Sequence, residues 1–197
     1  MRIHKLPKPL ASFVVMLLLT GLVILLKTPL QTMTNPPTPE VLGQYTRELT
    51  KGELEHGVVE EVTDGDTIKL DNGATVRLLS IDTPELAHPQ HKIREECFGR
   101  DAKARMEQLA LGKTVYLESD RRKKDKYARD LRYVYVEDEL TTQLISLNEY
   151  MVGEGFARAY VLSPNIKYKD VFLRLQEEAR RMDKGLWGAC DVEKYRW

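Results

Sequence analysis

Residues 58–82, VVEEVTDGDTIKLDNGATVRLLSID, decide the fold. Three apolar runs lie in this stretch, Val58–Thr63, Thr67–Leu70 and Ala74–Ile81, and each reads as a strand. Asp71-Asn72-Gly73 separates the second from the third. Asn-Gly between apolar runs makes a hairpin turn, because both residues accept a positive φ. Downstream, Phe98, Ala102, Met106 and Leu109 are spaced for one helix face, and Gly112 stands where a C-terminal cap belongs. Thr114–Glu118 and Leu131–Val136 are rich in Val, Leu and Tyr and read as strands four and five. Thr141–Val152 reads as a helix that starts on Thr and stops at Gly153. Val171, Leu175, Ala179 and Met182 give a third helical face, ended by Gly185.

The order is therefore three strands, a helix, two strands and two helices. That order predicts an α+β fold, a β-barrel with helices: a five-stranded, partly open barrel of the OB type with three helices packed against it. A chain of 197 residues suits one such domain with additions at its ends. It is also long enough to bury a core without staples. With 42% hydrophobic and 30% charged residues, a wholly disordered chain and a multi-pass membrane protein are excluded. Two cysteines exclude a disulfide-dense miniprotein and a multi-cysteine zinc site.

Thirty Lys and Arg balance thirty Asp and Glu, so bulk charge alone does not hold nucleic acid here. The balance is uneven along the chain. Residues 1–30 contain Arg2, Lys5, Lys8 and Lys27 and no acid, which leaves 26 bases against 30 acids, a net of −4, in residues 31–197. Any basic site in that part must be local. Leu10–Leu26 is an uncharged apolar run of 17 residues behind a basic terminus. As a helix it is about 25 Å long, just short of a ~30 Å hydrocarbon core. The expectation is a transmembrane anchor or signal segment over 1–27, a Pro/Thr-rich linker over 28–52 and the OB-type domain over 53–197. The segment is either an uncleaved single-span anchor, in the membrane through residues 10–26, or a cleaved signal of a secreted protein. In both cases the basic end stays inside and the domain lies outside the cytoplasm. Under that condition Cys97 and Cys190 can pair; the alternative is two independent thiols. A bridge would close a loop of about 93 residues and stabilise by roughly 4–5 kcal/mol on the chain-entropy account.

Two acidic clusters sit at strand ends. Thr63-Asp64-Gly65-Asp66-Thr67 joins the first two strands, and Asp82-Thr83-Pro84-Glu85 follows the third. Taken alone each reads as an ordinary turn. Together, carboxylates from neighbouring strand ends can converge on one hard cation. Arg77 lies between them in an otherwise apolar strand. Residues 120–129, DRRKKDKYAR, hold six bases and one tyrosine between strands four and five, a phosphate-facing patch in an acidic domain or a solvated loop.

DGDTIKL, then VRLLSIDTPE, then DKYARDLRYVYV, in this order and spacing, resemble the staphylococcal nuclease-like (thermonuclease) family over Gly57–Gly188. The combination is specific, although no single motif is. The resemblance implies an OB-fold, a Ca²⁺ cofactor, and hydrolysis of phosphodiester bonds in DNA and RNA. Asp66 and Asp82 match the family's metal-binding carboxylates, and Thr83 matches the residue that supplies a carbonyl to the same ion. Asp64 matches an acidic residue behind them. Glu85 matches the general base, or the group that positions the attacking water. Arg77 and Arg129 match the two phosphate-binding arginines, and Lys126, Tyr127 and Tyr160 match residues of the nucleotide pocket. The chemistry suits these residue types. Hydrolysis gathers negative charge on phosphorus oxygens, and a hard cation with two guanidinium forks neutralises it. Leu162 falls where the family carries a second pocket aromatic, and Leu86–Gly99 differs in length and composition. The alternative is a catalytically silent module that binds nucleic acid or protein, and the expected state is a monomer.

Overall fold

The computed structural model describes residues 35–87 and 94–192. The expected membrane segment, 10–26, lies outside them. Among the described residues no helix is long and apolar enough to cross a membrane.

The chain order is α1 (Pro39–Gly43), β1 (Thr46–Arg47), a 3-10 turn (Lys51–Glu53), β2 (Glu55–Val62), β3 (Thr67–Leu70), β4 (Thr75–Leu78), β5 (Ile81–Asp82), α2 (Gly99–Ala110), β6 (Thr114–Glu118), β7 (Asp130–Glu137), β8 (Leu144–Ser146), α3 (Leu147–Gly153), β9 (Arg158–Ala159), α4 (Lys169–Arg181) and α5 (Leu186–Ala189). β2, β3 and β4 form an antiparallel meander. β4 then runs parallel to β7, with Arg77 opposite Leu131. β7 pairs antiparallel with β6, and β6 returns to β2, so five strands close on themselves. Closure leaves those five with no free edge, and it is the barrel expected from the sequence. Val59, Ile68, Leu70, Val76, Leu78, Val115 and Val134 are buried as its core.

Three stretches depart from the sequence reading. Ala74–Ile81 is not one strand. Ser80 adopts a left-handed conformation, φ 64°, and turns the chain, so that Ile81–Asp82 leaves the barrel and pairs with β9. Thr141–Val152 is not one helix. Leu144–Ser146 pairs with β7 as β8, and the helix begins at Leu147 with the Ser146 side chain accepting the Glu149 N–H as its cap. Part of the expected linker, 28–52, belongs to the folded unit, which runs from Pro36 onward. Thr46–Arg47 pairs with β8, and Tyr45 beside it is buried, its hydroxyl donating to Glu154 Oε1 at 2.6 Å. One aromatic ring in a polar stretch is enough to draw that stretch onto the body, because a buried tyrosine removes a large apolar area from water.

Helix α2 buries Ala102, Met106 and Leu109, the face read from the sequence. Helix α4 buries Phe172, Leu175 and Ala179. Helix α3 is buried along its whole length and carries Asn148 to the seam between β4 and β7. The Asn148 amide oxygen accepts the Val134 N–H at 2.8 Å, and its nitrogen donates to the Leu79 carbonyl at 2.8 Å. It thus satisfies backbone groups that the parallel pairing leaves over where β4 bends away.

Asn148→Ala leaves a buried N–H and a buried carbonyl without partners, and each costs about 1–3 kcal/mol. Urea denaturation is expected to show a loss of about 2–4 kcal/mol, against under about 0.5 kcal/mol for the exposed-site control Leu140→Ser. Equal stability of the two variants would remove Asn148 from this role.

Candidate functional site

The β2–β3 junction is a tight turn. Asp64 Oδ1 accepts the Asp66 N–H at 3.0 Å, and the Thr63 N–H donates to the Thr67 carbonyl at 2.9 Å. Gly65 sits at its tip, where a Cβ would lie 2.7 Å from Thr83 Cγ2 and 2.9 Å from Ala102 Cβ. Only glycine lets the turn press against both Thr83 and α2, and that contact fixes the height of Asp66.

Asp66 is buried. Its Oδ2 accepts the Thr83 N–H at 2.9 Å and the Thr83 hydroxyl at 3.1 Å, and lies 3.0 Å from Arg77 Nη2. The same Nη2 donates to Asp82 Oδ1 at 3.1 Å. Both aspartates therefore meet on one nitrogen. Arg77 Nη1 donates to the carbonyls of Leu78 and Ile81, each at 2.9 Å, and so spans the corner made by Ser80. Glu85 follows three residues after Asp82 and is exposed.

Burial, with the mutual repulsion of the carboxylates added to it, outweighs what the arginines compensate. Asp64 is pushed up to about 7, first by burial and then by the charge of Asp66. Asp82 is held above its usual range by burial and by Asp66, against Arg77 and Arg158. Glu85 is raised by burial, then by Asp66, Asp82 and Glu96. Such a site attracts positive charge. Among the described residues no three or more His, Cys, Asp or Glu side chains make a ready metal cage. The donors at hand are the carboxylates of Asp66 and Asp82, all oxygen, a chemistry that suits a hard divalent cation completed by water.

Arg77 also lines a cleft of about 200 Å³, together with Arg122, Asp125, Arg129, Tyr160 and Leu162. Arg129 is aimed by Asp125, whose Oδ2 accepts Arg129 Nε at 2.7 Å and whose Oδ1 accepts the N–H groups of Tyr127 and Arg129 at 2.9 and 3.0 Å. Burial opposes ionisation of Asp125, but these donors outweigh it and hold its carboxyl below the usual range. Tyr160 docks through its N–H on the Ser80 carbonyl at 2.8 Å, and its ring is 51% exposed.

The sequence-derived residues thus fall into two groups. Asp64, Asp66, Arg77, Asp82, Thr83 and Glu85 gather at the strand ends, and Arg77, Arg129 and Tyr160 share the cleft. Lys126 and Tyr127 do not line that cleft. Tyr127 is 68% exposed and borders a shallower hollow beyond Arg129, with Lys126 Nζ 4.9 Å from its ring. Three residues were missed: Asp125, Glu96 and Arg158, whose Nη2 donates to Asp82 Oδ2 at 2.7 Å. Alternation could have found Arg158, because residues 158 and 160 share one side of an extended strand.

The pattern of the family described as staphylococcal nuclease homologue matches residues 75–189. The chain is 34% identical over 148 residues to a thermonuclease of Staphylococcus intermedius, an alignment covering 74% of this chain and 83% of that protein. It is 33% identical over 132 residues to a thermonuclease of Staphylococcus hyicus, covering 66% and 73%. It is 41% identical over 135 residues to the endonuclease YncB of Bacillus subtilis (strain 168), covering 66% and 60%. The matched span holds the parallel strand pair, the Ser80 corner and the arginines on either side of the cleft, and the chain belongs to the staphylococcal nuclease family.

Proposed function

We propose that this protein is a calcium-dependent nuclease that hydrolyses phosphodiester bonds of DNA and RNA. One observation carries the reading: Asp66 and Asp82 converge on a single nitrogen of Arg77, beside a cleft that Arg77 shares with Arg129. The thermonuclease and endonuclease relatives support phosphodiester hydrolysis as the reaction.

Asp66, Asp82 and the Thr83 carbonyl would hold the calcium. When bound, the ion supplies fixed positive charge against the negative charge that builds on the phosphoryl oxygens. Asp64 sits one layer behind and is placed to accept a hydrogen bond from water. Glu85, whose carboxylate makes no hydrogen bond among the described residues, accepts the proton of the attacking water. Arg77 stands between the carboxylates and the cleft, so its guanidinium can exchange carboxylate contacts for a phosphoryl oxygen. Arg129, braced by Asp125, presents its fork from the other side. Tyr160 offers a face on which any base stacks, a contact indifferent to sequence. Leu162 beside it is apolar but cannot stack, and Lys126 and Tyr127 meet the substrate strand beyond the cleft. The reading includes a location outside the cytoplasm, on a membrane anchor or after signal cleavage over residues 10–26. The Cys97–Cys190 disulfide supports it, because such bonds persist in oxidising compartments.

Full-length protein is expected to cut single-stranded DNA with Ca²⁺ and to stop when the ion is chelated. Glu85→Gln is expected to lower turnover by about two to four orders of magnitude while DNA binding persists. Cleavage indifferent to both would sink the reading. Arg129→Lys keeps the charge and loses the fork, so a fall in kcat of about tenfold or more is expected, with no such fall for Arg121→Lys in the same loop. In fractionated cells the protein should be recovered from membrane or medium with both cysteines protected from alkylation. Recovery from cytosol with two free thiols would exclude the location.

A further inference from the structure

We propose that Glu96 is a positioning residue for Glu85, held in place by the Cys97–Cys190 crosslink. The inference rests on the reading of Glu85 as the group that takes the proton from water.

Glu85 and Glu96 are joined by a reciprocal pair of hydrogen bonds. The Glu85 N–H donates to Glu96 Oε2 at 2.9 Å, and the Glu96 N–H donates to the Glu85 carbonyl at 2.9 Å. Both backbone polar groups of Glu85 are thus taken by one residue. Gly99, the first residue of α2, presses on the same peptide: a Cβ there would lie 2.8 Å from the Glu85 carbonyl oxygen and 3.1 Å from that of Pro84. The Glu85 carboxylate makes no hydrogen bond to another described residue, so what the fold fixes is the position of its backbone, from which the side chain reaches out. Its backbone is set by Glu96 and Gly99.

The segment that carries Glu96 is itself anchored at Cys97 and at Phe98. Cys97 is bonded to Cys190, the residue after α5. Phe98, left-handed at φ 76°, turns the chain into α2, and its buried ring lies 5.5 Å from that of Phe156. Cutting the crosslink releases one of these anchors and removes no pairing between barrel strands. An error of about 1 Å in the placement of a reacting group can cost on the order of 100-fold in rate, so a clamp on the backbone of Glu85 reads out in turnover rather than in substrate affinity.

Steady-state cleavage of single-stranded DNA by the full chain with Ca²⁺ tests this. Glu96→Ala is expected to lower kcat by about tenfold or more with KM within about twofold. Glu96→Gln keeps an acceptor oxygen for the Glu85 N–H and is expected to retain most of kcat. On a Glu85→Gln background, Glu96→Ala is expected to have no further effect, because it acts only through Glu85. The paired variant Cys97→Ser, Cys190→Ser, checked as folded by circular dichroism, should lose kcat in the same direction. Amide exchange by NMR gives a readout that needs no activity: the Glu85 N–H should exchange faster in Glu96→Ala and in the double serine variant, with β4 amides unchanged. Equal losses for Glu96→Ala and Glu96→Gln would assign the effect to charge and overturn the proposal, as would full additivity with Glu85→Gln or an unaltered kcat. Unaltered kcat and Glu85 exchange in the double serine variant would overturn the part given to the crosslink. If the wild type does not cut DNA, the proposed function fails, and the exchange measurement still decides whether the clamp exists.

Discussion

The Arg77 guanidinium is the interaction on which the rest of the site depends. It lies at the bend between β4 and β5, 14% exposed, with Asp66 and Asp82 on one nitrogen and two backbone carbonyls on the other. Buried carboxylates without a partner are not tolerated, and two of them side by side less so. Lysine could neutralise one of these acids as a point charge. Only a planar fork reaches two carboxylates and two carbonyls at once. Remove it, and the chain from Ser80 to Thr83 loses the tie that bends it back over the barrel end.

The barrel makes that arrangement possible and is in turn strained by it. A strand that bends away after Leu78 leaves unpaired backbone groups at the β4–β7 seam. These are satisfied by Asn148 from α3 and by the Leu79 N–H donating to the Arg132 carbonyl at 2.8 Å. The same bend frees Ile81–Asp82 to pair with β9, which brings Arg158 to the second oxygen of Asp82. Closure of the barrel, the corner at Ser80, the buried asparagine and the fourfold arginine are thus one construction. Each element leaves a polar demand that the next one meets.

Much of this was legible in the sequence, and the exceptions share a cause. The hairpin at Asn72-Gly73 and the face of α2 are local patterns, written in residues close together in the chain. Each acidic cluster alone reads as a turn; the two stood out only together, and through the resemblance of the motifs that contain them. The break at Ser80 was not visible, since Leu79, Ser80 and Ile81 alternate as a strand should. The left-handed turn is imposed by Arg77 capturing carbonyls from both sides. β8 was hidden because three residues, Leu144–Ser146, are too few for either period to declare itself, and the helix after them absorbed the pattern. Arg158, Glu96 and Asp125 escaped for another reason: each acts by aiming another side chain or its backbone. A charged residue that positions a neighbour across the fold looks like any solvated charge until the fold places it.

Gathering acids at one end of a barrel has a cost, and the fold carries a crosslink that opposes it. Burial first, and the charge of Asp66 second, push the Asp64 carboxyl up to about 7 in the folded chain. A carboxyl raised in the folded state contributes stability that is complete below the unfolded value and is lost as pH rises through the folded one. Above neutrality its ionisation therefore weighs against the fold. The crosslink spans 93 residues between the start of α2 and the end of α5. On the chain-entropy account a loop of that length is worth about 4–5 kcal/mol. The two effects act on different states: burying and crowding the carboxyl raises the folded chain, and the crosslink raises the unfolded one. The crosslink therefore lets the acids stay crowded without altering the charge that a cation and a phosphodiester would meet. A further lysine in the cluster would relieve the repulsion directly, and in doing so would cancel the negative field that the proposed cation requires.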